Sequence, residues 1–122
     1  MRHIKFLAIL VGAILVTGCY ATMPNTKTLP IETEQQNLKK FAYANCLLWY
    51  FQKKGYDETD IRAVGGGYVE KSSLSAEKFQ QIALLVKDFT PSFDSKNNID
   101  PDLYKCFSLE ESQEISDLIN RL

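Results

Sequence analysis

Phe41-Ala42-Tyr43-Ala44-Asn45-Cys46-Leu47-Leu48-Trp49-Tyr50-Phe51 is a nearly continuous apolar run, interrupted by the single amide of Asn45. It carries no period-2 alternation, so it reads as the middle of a helix that begins after an N-cap at Thr33 and ends near Lys54. A helix that is apolar almost all round must be covered on several sides. It therefore belongs at the centre of a bundle, or it turns one face to a second subunit.

Working outward from that helix, Lys54-Gly55 marks its end, and a second helix from about Asp57 places Ile61, Val64 and Tyr68 on one face. Gly65-Gly66-Gly67 interrupts the pattern. Three glycines cost about 2 to 3 kcal/mol of helix propensity relative to alanine, so they must end the helix or admit another backbone closely; close helix packing is the expectation. Ser73 or Ser75 caps a third helix to about Phe89, with Phe79, Ile82, Ala83, Val86 and Phe89 on one face. The polar stretch from Thr90 to Ile99 is a loop. Asp100-Pro101 then offers an N-cap followed by proline at N1, opening a short helix that carries Leu103, Cys106 and Phe107. Ser108 and Glu111 have the spacing of a capping box for a last helix, where Ile115, Leu118, Ile119 and Leu122 share a face. The predicted fold class is all-α, a compact bundle of about five helices.

Ahead of this domain, Arg2 and Lys5 precede an apolar run from Phe6 to Val16, followed by Val16-Thr17-Gly18-Cys19. The run is 11 residues long, against about 20 for a membrane-spanning helix, so it reads as a secretion signal. Its closing tetrapeptide resembles the lipobox of bacterial lipoproteins, which implies lipidation of Cys19 and cleavage before it. The expected organisation is a signal peptide over residues 1–18, a lipidated cysteine and flexible tether over 19–31, and a helical domain over 32–122. Pro24 and Pro30 and the absence of a hydrophobic period make the tether a flexible one, with a reach of roughly 20 Å. Tyr20 is not the aspartate that retains lipoproteins at the inner membrane, so lipoprotein sorting points to the periplasmic face of the outer membrane. With Cys19 assigned to lipid, Cys46 and Cys106 remain as a pair in an oxidising compartment, where a disulfide is expected. The alternative, two buried thiols, suits that compartment poorly.

Composition restricts function. The chain has 122 residues, a net charge of -1 and no lysine or arginine run, so nucleic acid is not an expected partner. Its single histidine, His3, lies in the segment to be removed; losing Arg2 and Lys5 with it takes the charge from -1 to -3. A mature chain without histidine lacks the commonest general base and the commonest zinc ligand, and no enzyme activity or cofactor is expected. The glycine triplet has no following Lys-Ser/Thr, as a P-loop requires. Asp94 to Asp102 is rich in oxygen ligands, but Lys96 occupies a ligand position and Ile99 stands where an EF-hand needs glycine, so no metal site is expected. Trp49 and the neighbouring tyrosines read as core or dimer contact.

Two segments carry a family resemblance: Gly66-Gly67-Tyr68-Val69-Glu70 with Ser73-Leu74, and Lys105-Cys106-Phe107-Ser108-Leu109 followed by Ser112-Gln113-Glu114-Ile115 and Leu118-Ile119. In this order and spacing they resemble the type VI secretion amidase-immunity family, and Cys46 and the Ser95-Lys96 pair fit the same pattern. Glu110-Glu111 departs from it, standing where members often have an aromatic residue and histidine. The resemblance implies a periplasmic helical inhibitor, a homodimer, that covers the cleft of a secreted cysteine amidase. On this reading the polar loop is the plug, with Phe93, Asp94, Ser95, Lys96, Asn97 and Asn98 as candidate contacts, and the membrane is reached only through the lipid anchor. The competing reading is a structural or accessory envelope lipoprotein of a secretion or cell-wall assembly.

Overall fold

A computed structural model describes residues 29–92 and 98–122. Five α-helices follow one another: α1 (Ile31–Lys54), α2 (Thr59–Lys71), α3 (Ala76–Asp88), α4 (Pro101–Ser108) and α5 (Gln113–Arg121), with a 3₁₀ turn, Leu109–Glu111, joining the last two. No strand occurs among the described residues. The fold is the expected all-α bundle, and α1 is its axis, in contact with each of the other four helices. That placement answers the demand of the 41–51 stretch for cover. Leu38, Ala42 and Cys46 on α1 are buried against Phe79, Ile82 and Val86 of α3 and Ile115 and Ile119 of α5. Phe41 meets Phe79 edge to face, with ring centroids 5.0 Å apart.

Local chemistry sets most helix ends. Gly55 closes α1 at φ 71°, a left-handed conformation open to glycine, and its N–H donates to the Gln52 carbonyl. Asp100 caps α4: its Oδ1 accepts from the N–H groups of Asp102 and Leu103, and Pro101 occupies the first turn. Elsewhere the sequence expectations are corrected. Helix α1 starts at Ile31, two residues before Thr33, with Pro30 in the N-cap position. The cap of α5 is Ser112, whose Oγ accepts from the Ile115 N–H at 3.3 Å, while Ser108 instead donates to the Tyr104 carbonyl. The box Ser108–Glu111 fails as a cap because burial of Leu109 winds those residues into the 3₁₀ turn.

The glycine triplet behaves in neither expected way. Helix α2 runs through Gly65, Gly66 and Gly67 without a break, and a methyl group added at any of them would meet nothing within 4 Å. Among the described residues no helix packs closely there. What holds α2 is its other face, where Ile61 and Tyr68 lie along α1 and Val69 packs on the core.

Cys46 and Cys106 are bonded, and both are buried. The bond clips the middle of α1 to α4 across 60 residues of chain. Phe107, the last apolar residue of α4, is 61% exposed and rests edge-on against Tyr43.

Candidate functional site

Three surface features could serve a partner, and each is built on α1. The first is the seam between the C-terminal half of α1 and α4, which the disulfide crosses. Trp49 and Tyr50 project from α1 beside Cys46, and Lys53 and Lys54 follow one turn later on the same side. Lys53 pairs with Asp102 at 2.6 Å, and Lys54 pairs with Asp100 at 2.5 Å. The Lys54 ammonium also lies 5.6 Å from the Tyr50 ring centroid. Hydrogen bonding from Lys54, followed by the backbone N–H groups of Leu103 and Asp102, holds the Asp100 carboxyl below its ordinary range. The same bond raises Lys54 above the ordinary lysine value. Asp100 therefore does two jobs with two oxygens: Oδ1 caps α4, and Oδ2 ties that cap to α1.

Trp49 is 44% exposed, and its indole N–H donates to Asn45 Oδ1 at 3.2 Å. The Lys87 ammonium stands 5.8 Å from its ring centroid. Lys105 donates to the Lys87 carbonyl at 2.9 Å, and its partial burial lowers its pKa from the usual lysine value. A shallow depression of about 70 Å³ lies between Trp49, Lys53, Asp102 and Lys105. A wider one of about 320 Å³ continues along Phe89, Thr90, Pro91 and Pro101.

The second feature is a groove of about 300 Å³ between α1 and α2, floored by Tyr43, Ala44, Leu47, Ile61, Val64 and Tyr68. Lys39, Lys40 and Glu110 also line it. The third lies at the N-terminal end of α1, where Ile31, Leu38, Leu74, Ile119 and Leu122 form an apolar groove of about 320 Å³. Glu34 sits at its edge as a buried carboxylate. It accepts from Ser72 Oγ at 2.5 Å, Ser73 Oγ at 2.6 Å and the Ser73 N–H at 2.7 Å. Burial pushes this carboxyl up, but the three hydrogen bonds outweigh it and leave the group below the usual glutamate range.

Of the residues proposed from sequence, Cys46 and Cys106 are brought together as expected. Asn98 is exposed, two residues ahead of the α4 cap. Cys19 and Phe93, Asp94, Ser95, Lys96 and Asn97 lie outside the described residues. Sequence reasoning missed the two Lys-Asp ties and the Glu34 clamp. An acidic residue in a helix's first turn was visible, but its serine partners are 38 and 39 residues away.

Chemically, the surface offers aromatic faces, ammonium groups and capped carboxylates, which suit recognition. Among the described residues no group of three His, Cys, Asp or Glu side chains is placed to hold a metal. No described helix is long and apolar enough to cross a membrane. A family model described as Tai4, type VI secretion system (T6SS), amidase immunity protein, matches residues 36–119, from the second turn of α1 to the last turn of α5. No curated protein and no solved structure matches the chain.

Proposed function

The chain belongs to the type VI secretion amidase immunity family, which consists of inhibitors and not enzymes, and from that premise we propose that it acts in the periplasm, binding a secreted peptidoglycan amidase and occluding its cleft to protect the producing cell. The observation that carries this reading is the extent of the family match: residues 36–119 contain the disulfide, the α1–α4 seam and nearly all of the core. A lipobox-like end to an export signal supports delivery to the compartment where peptidoglycan is cut, with Cys19 as the lipid anchor, at the outer membrane.

Occlusion needs a protruding, polar, non-reactive element on a firm base. The segment from Thr90 to Ile99 is assigned that role, with Phe93 as anchor and Asp94 to Asn98 as polar contacts. The base supports it: Phe89 packs on the core on one side, and on the other Asp100 is both helix cap and ion-pair partner of Lys54. Inhibition by such a segment requires no chemistry in the inhibitor, because a cysteine amidase is silenced once substrate cannot lie between its thiolate and histidine. Self-association is assigned to the α1–α2 groove. Its lining is mostly apolar and includes both charge signs, Lys39 and Lys40 with Glu110, which suits a two-fold contact in which each copy supplies both.

A cellular experiment tests the reading. In cells lysed by a type VI secreted peptidoglycan amidase of the producing strain directed to the periplasm, the full chain should prevent lysis, and a chain lacking residues 1–18 should not. Lysis unaffected by the full chain would remove the proposal.

A further inference from the structure

The two ends of α1 expose different chemistry. Helix α1 has 24 residues, so it is about 36 Å long. Its C-terminal end carries the Lys53 and Lys54 ties to Asp102 and Asp100, and the flanks of the 90–99 stretch, Thr90, Pro91 and Pro101, line a depression there with Asp102. At its N-terminal end Glu34 holds the connection between α2 and α3, Gln35 donates to Asn120 Oδ1 of α5 at 3.1 Å, and the Lys78 ammonium donates to the Leu122 carbonyl. This end carries the apolar groove of about 320 Å³, lined by buried Leu38 and Ile119 and by half-buried Leu29, Leu74 and Leu122. Ile31 completes the lining at 78% exposure, the most exposed large apolar side chain among the described residues. The one ionisable side chain in the lining, Glu34, accepts three hydrogen bonds, so its charge is met within the protein.

We infer that this end of the bundle is a bilayer seat: Ile31 and its groove lie in the headgroup–acyl boundary of the membrane that carries Cys19, and the Lys54–Asp100 end points away from it. The inference rests on the lipid anchor given under Proposed function. Leu29 lines the groove and follows Cys19 by ten residues, a span of at most about 36 Å. A chain anchored at Cys19 therefore enters the fold beside this groove and keeps a bilayer within its reach, whereas the seam lies nearly a further helix length away. Tethering makes a modest contact sufficient, because the membrane is held nearby and need not be met by diffusion. Residues 20–28, Tyr-Ala-Thr-Met-Pro-Asn-Thr-Lys-Thr, are mostly polar and bring the groove little to bury. Charge at this end is mixed: Lys71 and Arg121 close α2 and α5, while Glu32 and Glu77 open α1 and α3. The contact is thus apolar, and high salt should leave it in place. A domain seated this way turns Trp49 and the flanks of the 90–99 stretch to the aqueous side, where a secreted partner meets them.

The test uses the exported protein, extracted in detergent and reconstituted into vesicles of phosphatidylethanolamine and phosphatidylglycerol. A nitroxide is attached through Asn120→Cys, an exposed position lining the groove, or through Asp60→Cys, exposed in the first turn of α2 near the other end of α1. Power saturation compares access by oxygen, which concentrates in the bilayer, with access by a nickel chelate, which stays in water. The oxygen-to-nickel ratio at position 120 should exceed that at position 60 by about fivefold or more, as for a group in the headgroup–acyl boundary. Ile31→Asp, at a side chain too exposed to hold the fold, should bring position 120 down to the value at 60 with an unchanged melt, and uncharged Ile31→Ser should do so in part. A water-exposed label at 120, with lipid found on Cys19 by mass spectrometry, would overturn the seat and leave the anchor. A label at 120 shielded from both reagents would overturn it too, because a segment of this chain or a second copy would then fill the groove. Bilayer contact at 120 without lipid on Cys19 would uphold the seat and remove the anchor, and protein free of both lipid and vesicles would remove both.

Discussion

Glu34 gives the sharpest stability prediction, because a buried carboxylate that accepts three hydrogen bonds has few ways to be replaced. Its side chain joins the first turn of α1 to Ser72 and Ser73, the connection between α2 and α3, through contacts of 2.5 to 2.7 Å. Hydrogen bonds to a charged group contribute about 1.5 to 3 kcal/mol each, but they share one desolvation cost and are not additive. Glu34→Ala also leaves the Ser73 N–H without its acceptor. We expect a loss of about 3 kcal/mol, which for a domain of this size lowers Tm by about 15 °C. Glu34→Gln keeps the volume and one acceptor but turns an NH₂ group toward serine donors, so its loss should be about half as large. The pH dependence follows from the lowered carboxyl pKa. A native pKa below the unfolded value means the stabilisation is complete above about pH 4.5 and disappears as pH falls through the native value. Thermal melts of wild type and Glu34→Gln followed by circular dichroism should therefore differ most near pH 7 and converge on acidification. A Glu34→Gln Tm within about 2 °C of wild type at pH 7, or a gap that widens below pH 4, would refute the reasoning.

Other consequences are open to direct measurement. Cys106→Ala removes a cross-link spanning 60 residues and should cost about 4 kcal/mol on the chain-entropy model, read as a lower guanidinium midpoint. Gly66→Ala should stabilise by about 0.5 to 1 kcal/mol, because the helix is continuous and the added methyl meets nothing within 4 Å. A lower Tm for this variant would show that α2 does not run through the triplet as described. Replacing Phe93 to Asn98 with a Gly-Ser stretch should leave helicity unchanged and weaken amidase binding at least about thirtyfold by calorimetry. Undiminished affinity would move the interface to another surface.

The features legible in the sequence were those whose causes lie close together in the chain. The 41–51 run demanded a central helix, the period of Phe79, Ile82 and Val86 fixed the buried face of α3, and Asp100-Pro101 marked the start of α4. The Cys46–Cys106 pair was found by compartment arithmetic, without reference to geometry. What stayed hidden depended on distant partners or on competing tertiary forces. Glu34 carried no local signal because Ser72 and Ser73 join it only through folding. Lys53 and Lys54 lie in the last turn of α1, and their pairing with Asp102 and Asp100 needed the α1–α4 seam. The glycines were misread because their propensity cost argued for another helix packed closely against them, whereas packing of Ile61, Tyr68 and Val69 keeps α2 whole with the glycine face open. Burial of Leu109 likewise overrode a local capping signal.

Titration of the purified amidase with the oxidised protein, with release of cleaved peptidoglycan peptide as the readout, bears most directly on the central claim. The account predicts that turnover falls linearly and ends at one inhibitor chain per amidase, and that both proteins are recovered unmodified by mass spectrometry. Full turnover at about a thousandfold excess over the micromolar Kd of a weak specific complex would contradict it.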